Sequence, residues 1–223
     1  LLSPSGIDIR NIDNIPVTRE IAHIDWDAKA AEKEGYEHFM LKEINEQPRA
    51  ISDTMRGRID RELLTAKLDG LNLTPRDIAG ISRIVIAACG TSLHAGMVGE
   101  YFFEDFSSVP VEVEQAAEFR YRNPIIDRDT LVISISQSGE TADTLAAIRE
   151  AKQKGALVAS ICNVVGSTIA RESGRGVYLH AGPEIGVAST KAFTCQVVVL
   201  LMMALKFGRT GRLSRSAGEK IIN

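Results

Sequence analysis

The segment Ser136-Gln137-Ser138-Gly139-Glu140-Thr141 sets three hydroxyls and a side-chain amide around one glycine, directly ahead of a stretch with helical spacing from Ala142 to Lys154. Hydroxyls and amides donate hydrogen bonds without carrying charge, and glycine lets the main chain come close to a ligand. The start of a helix adds unpaired N–H groups and the positive end of its dipole. A helix cap needs one hydroxyl, whereas this turn offers several, and the set suits an anion with many acceptor oxygens, such as a phosphate.

Two further turns carry related chemistry. Cys89-Gly90-Thr91-Ser92 pairs a glycine with two hydroxyls at the start of another helical stretch, and Gly182-Pro183-Glu184-Ile185-Gly186-Val187-Ala188-Ser189-Thr190-Lys191 ends in hydroxyls that open a long one. Taken singly, each of these is also what an ordinary helix cap looks like. Neutral donors suffice for a phosphate, so Lys191 is optional. Glu184 is a lone carboxylate beside the third turn and reads either as a base or sugar-hydroxyl ligand, or as a cap or exposed loop residue.

Other chemistries find no support in the spacing. Gly90, Gly96 and Gly99 do not make a dinucleotide fingerprint, and Gly186 to Lys191 lacks the glycine before lysine of a nucleotide-triphosphate loop. His23, His38, His94 and His180 are scattered without metal spacing, so neither a metal nor a cofactor is expected. Cys89, Cys162 and Cys195 lie in apolar or strand-like surroundings without a CxxC pair, and read as reduced, buried thiols.

The elements that must position these turns follow from short apolar runs alternating with helical stretches. Runs at 83–89, 109–113, 131–135, 157–162 and 177–180 are apolar on both faces, and helical segments are expected at about 92–105, 141–154 and 188–207, with a short turn near 116–121. Strands apolar on both faces, each followed by a helix, imply a doubly wound, mostly parallel five-stranded α/β sheet of flavodoxin-like type. Ligands bind such sheets beyond the carboxyl ends of the strands, where all three turns fall. Residues 1–24 read as an extended linker and 25–71 as a helical segment. Within it, amphipathic helices are expected from Asp27 to about Glu46 and from Pro48 to about Leu68.

Composition narrows the partners. With 44% hydrophobic and 25% charged residues and a net charge of −3, the 223-residue chain can bury a sizeable core and lacks the basic excess of a nucleic-acid binder. No uninterrupted apolar run is long enough for a membrane span, and no secretory signal is visible, so a cytoplasmic location is expected. The chain opens with Leu1 and stops soon after Ser216-Ala217-Gly218-Glu219, a capping-box pattern, which suggests a piece of a longer protein.

Cys-Gly-Thr-Ser at 89–92, Ser-Gln-Ser-Gly-Glu-Thr-Ala-Asp-Thr at 136–144 and Glu-Ile-Gly-Val-Ala-Ser-Thr-Lys-Ala-Phe-Thr at 184–194 together resemble the sugar isomerase, or SIS, domain family. The run Gly35 to Ile44 with Glu46-Gln47-Pro48 resembles the opening of the isomerase half of those members that make glucosamine 6-phosphate from fructose 6-phosphate and glutamine. The resemblance implies an SIS domain over 72–212, with 213–223 leading toward a second SIS unit. It further implies that Ser136, Gln137, Ser138 and Thr141 bind the phosphate, while Thr91, Val187 and Ser189 contact the sugar. In the family, the glutaminase domain and second SIS half supply the ammonia, the base, the ring-opening histidine and the imine-forming lysine. This chain is therefore expected to bind a sugar phosphate without catalysing alone, and to pair as a homodimer through the SIS domain. SIS domains also serve as phosphosugar sensors in transcriptional regulators, but the preceding helices lack a helix-turn-helix pattern. A stand-alone isomerase would need Glu184 or His94 as its base.

Overall fold

The computed structural model describes residues 2–3, 6–18 and 32–223. A five-stranded parallel sheet runs through its centre, with strands β1 (Arg83–Ala88), β2 (Val111–Gln115), β3 (Thr130–Ser136), β4 (Leu157–Cys162) and β5 (Gly176–Tyr178) in the order β2-β1-β3-β4-β5. Among the described residues eight α-helices accompany it: α1 (Phe39–Met55), α2 (Pro75–Ala79), α3 (Thr91–Ser107), α4 (Ala116–Tyr121), α5 (Ala142–Gln153), α6 (Thr168–Ser173), α7 (Lys191–Thr210) and α8 (Arg215–Ile222). The expected doubly wound α/β architecture is what the chain adopts.

The strand alternation feeds two separate cores. Ile84, Ile86, Leu131, Ile133 and Ile135 face α3 and α7, where Phe103, Leu200 and Phe207 complete one cluster. Val85, Ala87 and Val132 face the opposite way, onto Phe119, Ala147, Ile148 and Ile169 of α4, α5 and α6. The three inner strands β1, β3 and β4 are thus buried on both sides, which is why their sequences are largely apolar, whereas the edge strand β2 alternates apolar and polar residues, with Glu112 and Gln115 exposed. Gly96 and Gly99 serve this packing: a Cβ at Gly99 would lie 3.0 Å from Leu200, and one at Gly96 would lie 2.9 Å from Ile86. α7 has the length and composition of a membrane span, yet two-thirds of its apolar window, 67%, is buried inside the protein, as the central helix of the core.

The amino-terminal helical expectation needs correction. The helix expected from Asp27 lies partly outside the described residues, and the two helices expected on either side of Pro48 are one continuous helix, α1. Proline removes the N–H that would bond the Ile44 carbonyl, and the Gln47 side-chain amide donates to that carbonyl instead, at 3.3 Å. Between Met55 and Leu68, where the second expected helix would continue, no helix forms. Ile59–Asp60 pairs antiparallel with Thr65–Ala66, because the Asp60 carboxylate accepts the N–H groups of Glu62 (3.1 Å) and Leu63 (2.8 Å) and closes a turn. The faces of α1 also differ from the periodicity reading: Lys42, Glu43, Ala50 and Thr54 are buried, while Met40, Ile44 and Met55 are substantially exposed. The cap of α8 is Ser214, whose hydroxyl accepts from Ala217 N, not the Ser216 of the expected capping box.

Candidate functional site

Register brings the first two turns together. Ala88 of β1 lies opposite Ile135 of β3, so the residues that follow, Cys89 and Ser136, leave the sheet side by side. β1 leads outward to β2 on one side and β3 returns on the other, which makes this the switch point of the sheet. The third turn arrives differently. It follows β5 at the far edge and is carried back by α7, which packs along α3.

The three turns enclose one cavity of about 430 Å³, lined among others by Thr91, Ser136, Gln137, Ser138, Thr141, Val187 and Ser189. Every residue singled out from sequence as a site residue therefore borders the same space. Ser92, Glu184 and Cys89 line it too, whereas Lys191 and His94 do not.

The 136–141 turn is built before any ligand arrives. Ser136, only 3% exposed, accepts the Gly139 N–H at 3.0 Å and lies 3.0 Å from the Thr141 hydroxyl. Ser138 accepts the Glu140 N–H at 3.2 Å, which leaves its own hydroxyl proton free for another acceptor. Gly139 has φ +69, and a Cβ there would sit 2.0 Å from the Ser167 hydroxyl, so glycine is required twice over. Glu140 points away from the cavity and accepts the Thr168 N–H at 2.8 Å, tying the turn to α6. That main-chain bond holds the Glu140 carboxyl below the usual carboxylate range.

Glu184 resolves as a cap that also borders the cavity. Its Oε1 accepts Thr190 N at 2.9 Å and Ala192 N at 3.1 Å, and its Oε2 accepts the Ser189 hydroxyl at 2.9 Å. Ser189 in turn accepts Phe193 N at 3.2 Å. The Lys191 ammonium is spent on Glu46, 2.6 Å away, outside the cavity. Burial pushes the Cys162 thiol up to about 11 and raises that of Cys195 as well, while Cys89 is half-buried at the cavity wall. Among the described residues no group of His, Cys, Asp or Glu side chains is placed to hold a metal.

Sequence reasoning missed two supporting residues. Gln196, fully buried in α7, donates to the Ser92 hydroxyl at 3.0 Å and so leaves the Ser92 proton to face the cavity; an amide within an otherwise apolar stretch was the available signal. Glu43 of α1 accepts main-chain N–H groups of the third turn, and no local pattern announces that.

A cavity at the switch point, walled by hydroxyls and helix starts with little net charge, fits a phosphorylated polyol better than a nucleotide or an apolar ligand. The SIS domain family matches residues 77–206, and the chain belongs to it. Among its relatives is the glutamine--fructose-6-phosphate aminotransferase [isomerizing] of Chlorobaculum tepidum, 56% identical over 204 residues, covering 91% of this chain and 33% of that protein. The enzyme of the same name from Clostridium tetani is 51% identical over 99% of this chain and 36% of its own length. Among solved structures, the C-terminal domain of glucosamine-fructose-6-phosphate aminotransferase from Francisella tularensis superposes with a TM-score of 0.78 at 42% identity, covering 85% of this chain and 53% of that one. The chain thus spans about a third of the length of the curated relatives it matches.

Proposed function

We propose that this chain is the fructose 6-phosphate-binding first SIS unit of an isomerizing glutamine–fructose-6-phosphate aminotransferase, a cytoplasmic enzyme of amino-sugar supply. The observation that carries the reading is the convergence of three hydroxyl-bearing turns on one cavity at the sheet's switch point. In this reading Ser136, Gln137, Ser138 and Thr141 hold the phosphate, and Thr91, Val187 and Ser189 hold the sugar. The SIS unit corresponds to 72–212, preceded by the segment 25–71.

Binding and turnover separate on chemical grounds. Moving a proton between C1 and C2 and forming an imine require a positioned base and an amine. The carboxylate at this cavity, Glu184, is committed to capping α7, and the nearest turn lysine, Lys191, is paired with Glu46. The chain by itself then binds the sugar phosphate without converting it. A homodimer through the SIS unit is supported by the outer face of α3, where Tyr101 is 74% and Met97 44% exposed.

Calorimetric titration tests the reading. Fructose 6-phosphate should bind, unphosphorylated fructose and NAD should not, and Ser138→Ala should weaken the binding. Heat from fructose equal to that from its phosphate, or none from either, would refute it.

A further inference from the structure

α1 lies outside the three turns, yet its buried polar face is bonded to one of them. Glu43 is 2% exposed, and its Oε1 accepts the N–H of Ile185 at 2.6 Å and of Gly186 at 3.0 Å, with Oε2 3.2 Å from the same Gly186 N–H. These are the two amides immediately before Val187. Gly186 makes room for the carboxylate, since a Cβ there would stand 2.5 Å from Glu43 Oε2. One turn further along α1, Glu46 receives the Lys191 ammonium, and Gln47 accepts the Thr194 hydroxyl at 2.6 Å. Helix α1 is thereby bonded to the third turn at its middle and to the first residues of α7.

Val187 lies between two carboxylate clamps, and Ser189 is held by the second of them. Glu43 holds the turn at 185–186 and Glu184 holds it at 189–192, whereas Val187 itself is fully exposed at the tip. A short loop fixed at both ends keeps its geometry before the ligand arrives, and such preorganisation appears as affinity because less order must be imposed on binding. The 136–141 turn is held by its own residues, by Asn163 after β4 and by Thr168 and Ile169 of α6, and these bonds owe nothing to α1.

We infer that Glu43 is a positioning residue for the sugar half of the site, setting affinity for the sugar moiety while leaving affinity for the phosphate group unchanged. The inference rests on the function proposed above. It follows that the segment ahead of the SIS unit is part of the binding site's construction, although none of its described residues lines the cavity.

The test uses the whole 223-residue chain and three variants, Glu43→Ala, Glu43→Gln and Gly186→Ala. Amide exchange followed by NMR without ligand reads the clamp directly: Ile185 and Gly186 should exchange about tenfold faster or more in Glu43→Ala, with the amides of 138–141 unchanged. Titration then separates the halves of the site. Fructose 6-phosphate should bind Glu43→Ala about tenfold more weakly, and inorganic phosphate should bind within about twofold of the unaltered chain. Glu43→Gln keeps one acceptor oxygen and should recover part of the loss, while Gly186→Ala, which displaces the carboxylate, should reproduce it. Unchanged exchange at 185–186 would overturn the inference, as would equal weakening of both ligands or none of either. If the unaltered chain takes neither ligand, the proposed function falls first and the inference with it.

Discussion

The Ser136 and Thr141 hydroxyls lie 3.0 Å apart across the neck of the 136–141 turn, and the Gly139 N–H donates to the same Ser136 oxygen. Ser136 is therefore both a wall of the cavity and the internal brace of the turn. Replacing it with alanine strands a buried N–H, at about 1–2 kcal/mol of stability, in addition to weakening the ligand. Ser138 is half-buried and carries no comparable brace, so Ser138→Ala should stay within about 0.5 kcal/mol of the parent while losing affinity. Urea unfolding of the two variants beside their titration with fructose 6-phosphate gives the comparison; equal stability losses would assign Ser136 no bracing role.

Gly139→Ala should be among the most damaging single substitutions in the site. The new methyl would enter the space of the Ser167 hydroxyl, and φ +69 is unfavourable for any side chain. The expected cost is roughly 2 kcal/mol or more, with loss of ligand binding. Thermal unfolding near the parent's midpoint would show that the turn has another conformation open to it.

The three thiols should separate by reactivity. Burial holds Cys162 up at about 11 and raises Cys195, and both are enclosed, whereas Cys89 borders the cavity. A disulfide reagent near pH 8 should label Cys89 in the native protein and reach the other two only on unfolding. Fructose 6-phosphate should slow that labelling. Rapid modification of Cys162 in the folded chain would contradict the packing beneath β4.

Glu140 makes stability depend on acid in one direction. Its carboxyl titrates below its ordinary value because the Thr168 N–H donates to it, so its contribution is fully present above about pH 4.5 and is lost as pH falls through the lower folded value. Glu140→Gln should therefore melt below the parent at pH 7, and the gap should close toward pH 3. A gap constant with pH would mean that the bond to Thr168 owes nothing to the charge.

The two faces of α1 should respond oppositely to what hydrophobicity suggests. Thr54 is fully buried and donates to the Leu179 carbonyl at 2.6 Å, so Thr54→Val strands that carbonyl and should cost about 1–3 kcal/mol. Ile44 is 42% exposed, and Ile44→Ser should change stability by less than about 0.5 kcal/mol. Denaturant midpoints of both variants check the pair.

The middle of the sheet was legible in the chain because β1, β3 and β4 are buried on both faces and so carry largely apolar runs, and because the turns after β1 and β3 keep their hydroxyls and glycines in consecutive positions. The expected strand 157–162 coincides with β4, and the expected short helix 116–121 coincides with α4. These are signals of local order, where spacing along the chain equals spacing in space.

What lay beyond the sequence depends on partners distant along the chain. Gly186 read as one glycine in a loop until Glu43, far earlier in the chain, filled the space beside it. Lys191 read as an optional phosphate ligand until Glu46 drew its ammonium elsewhere. Helix α1 shows the same limit most plainly: its apolar residues have the right period for a buried stripe, but the surface it meets is a turn full of free N–H groups and the polar start of α7. Unpaired main-chain donors cost more to bury than exposed methyl groups cost to leave in water, so the polar face turned inward, and only the packed structure could decide that.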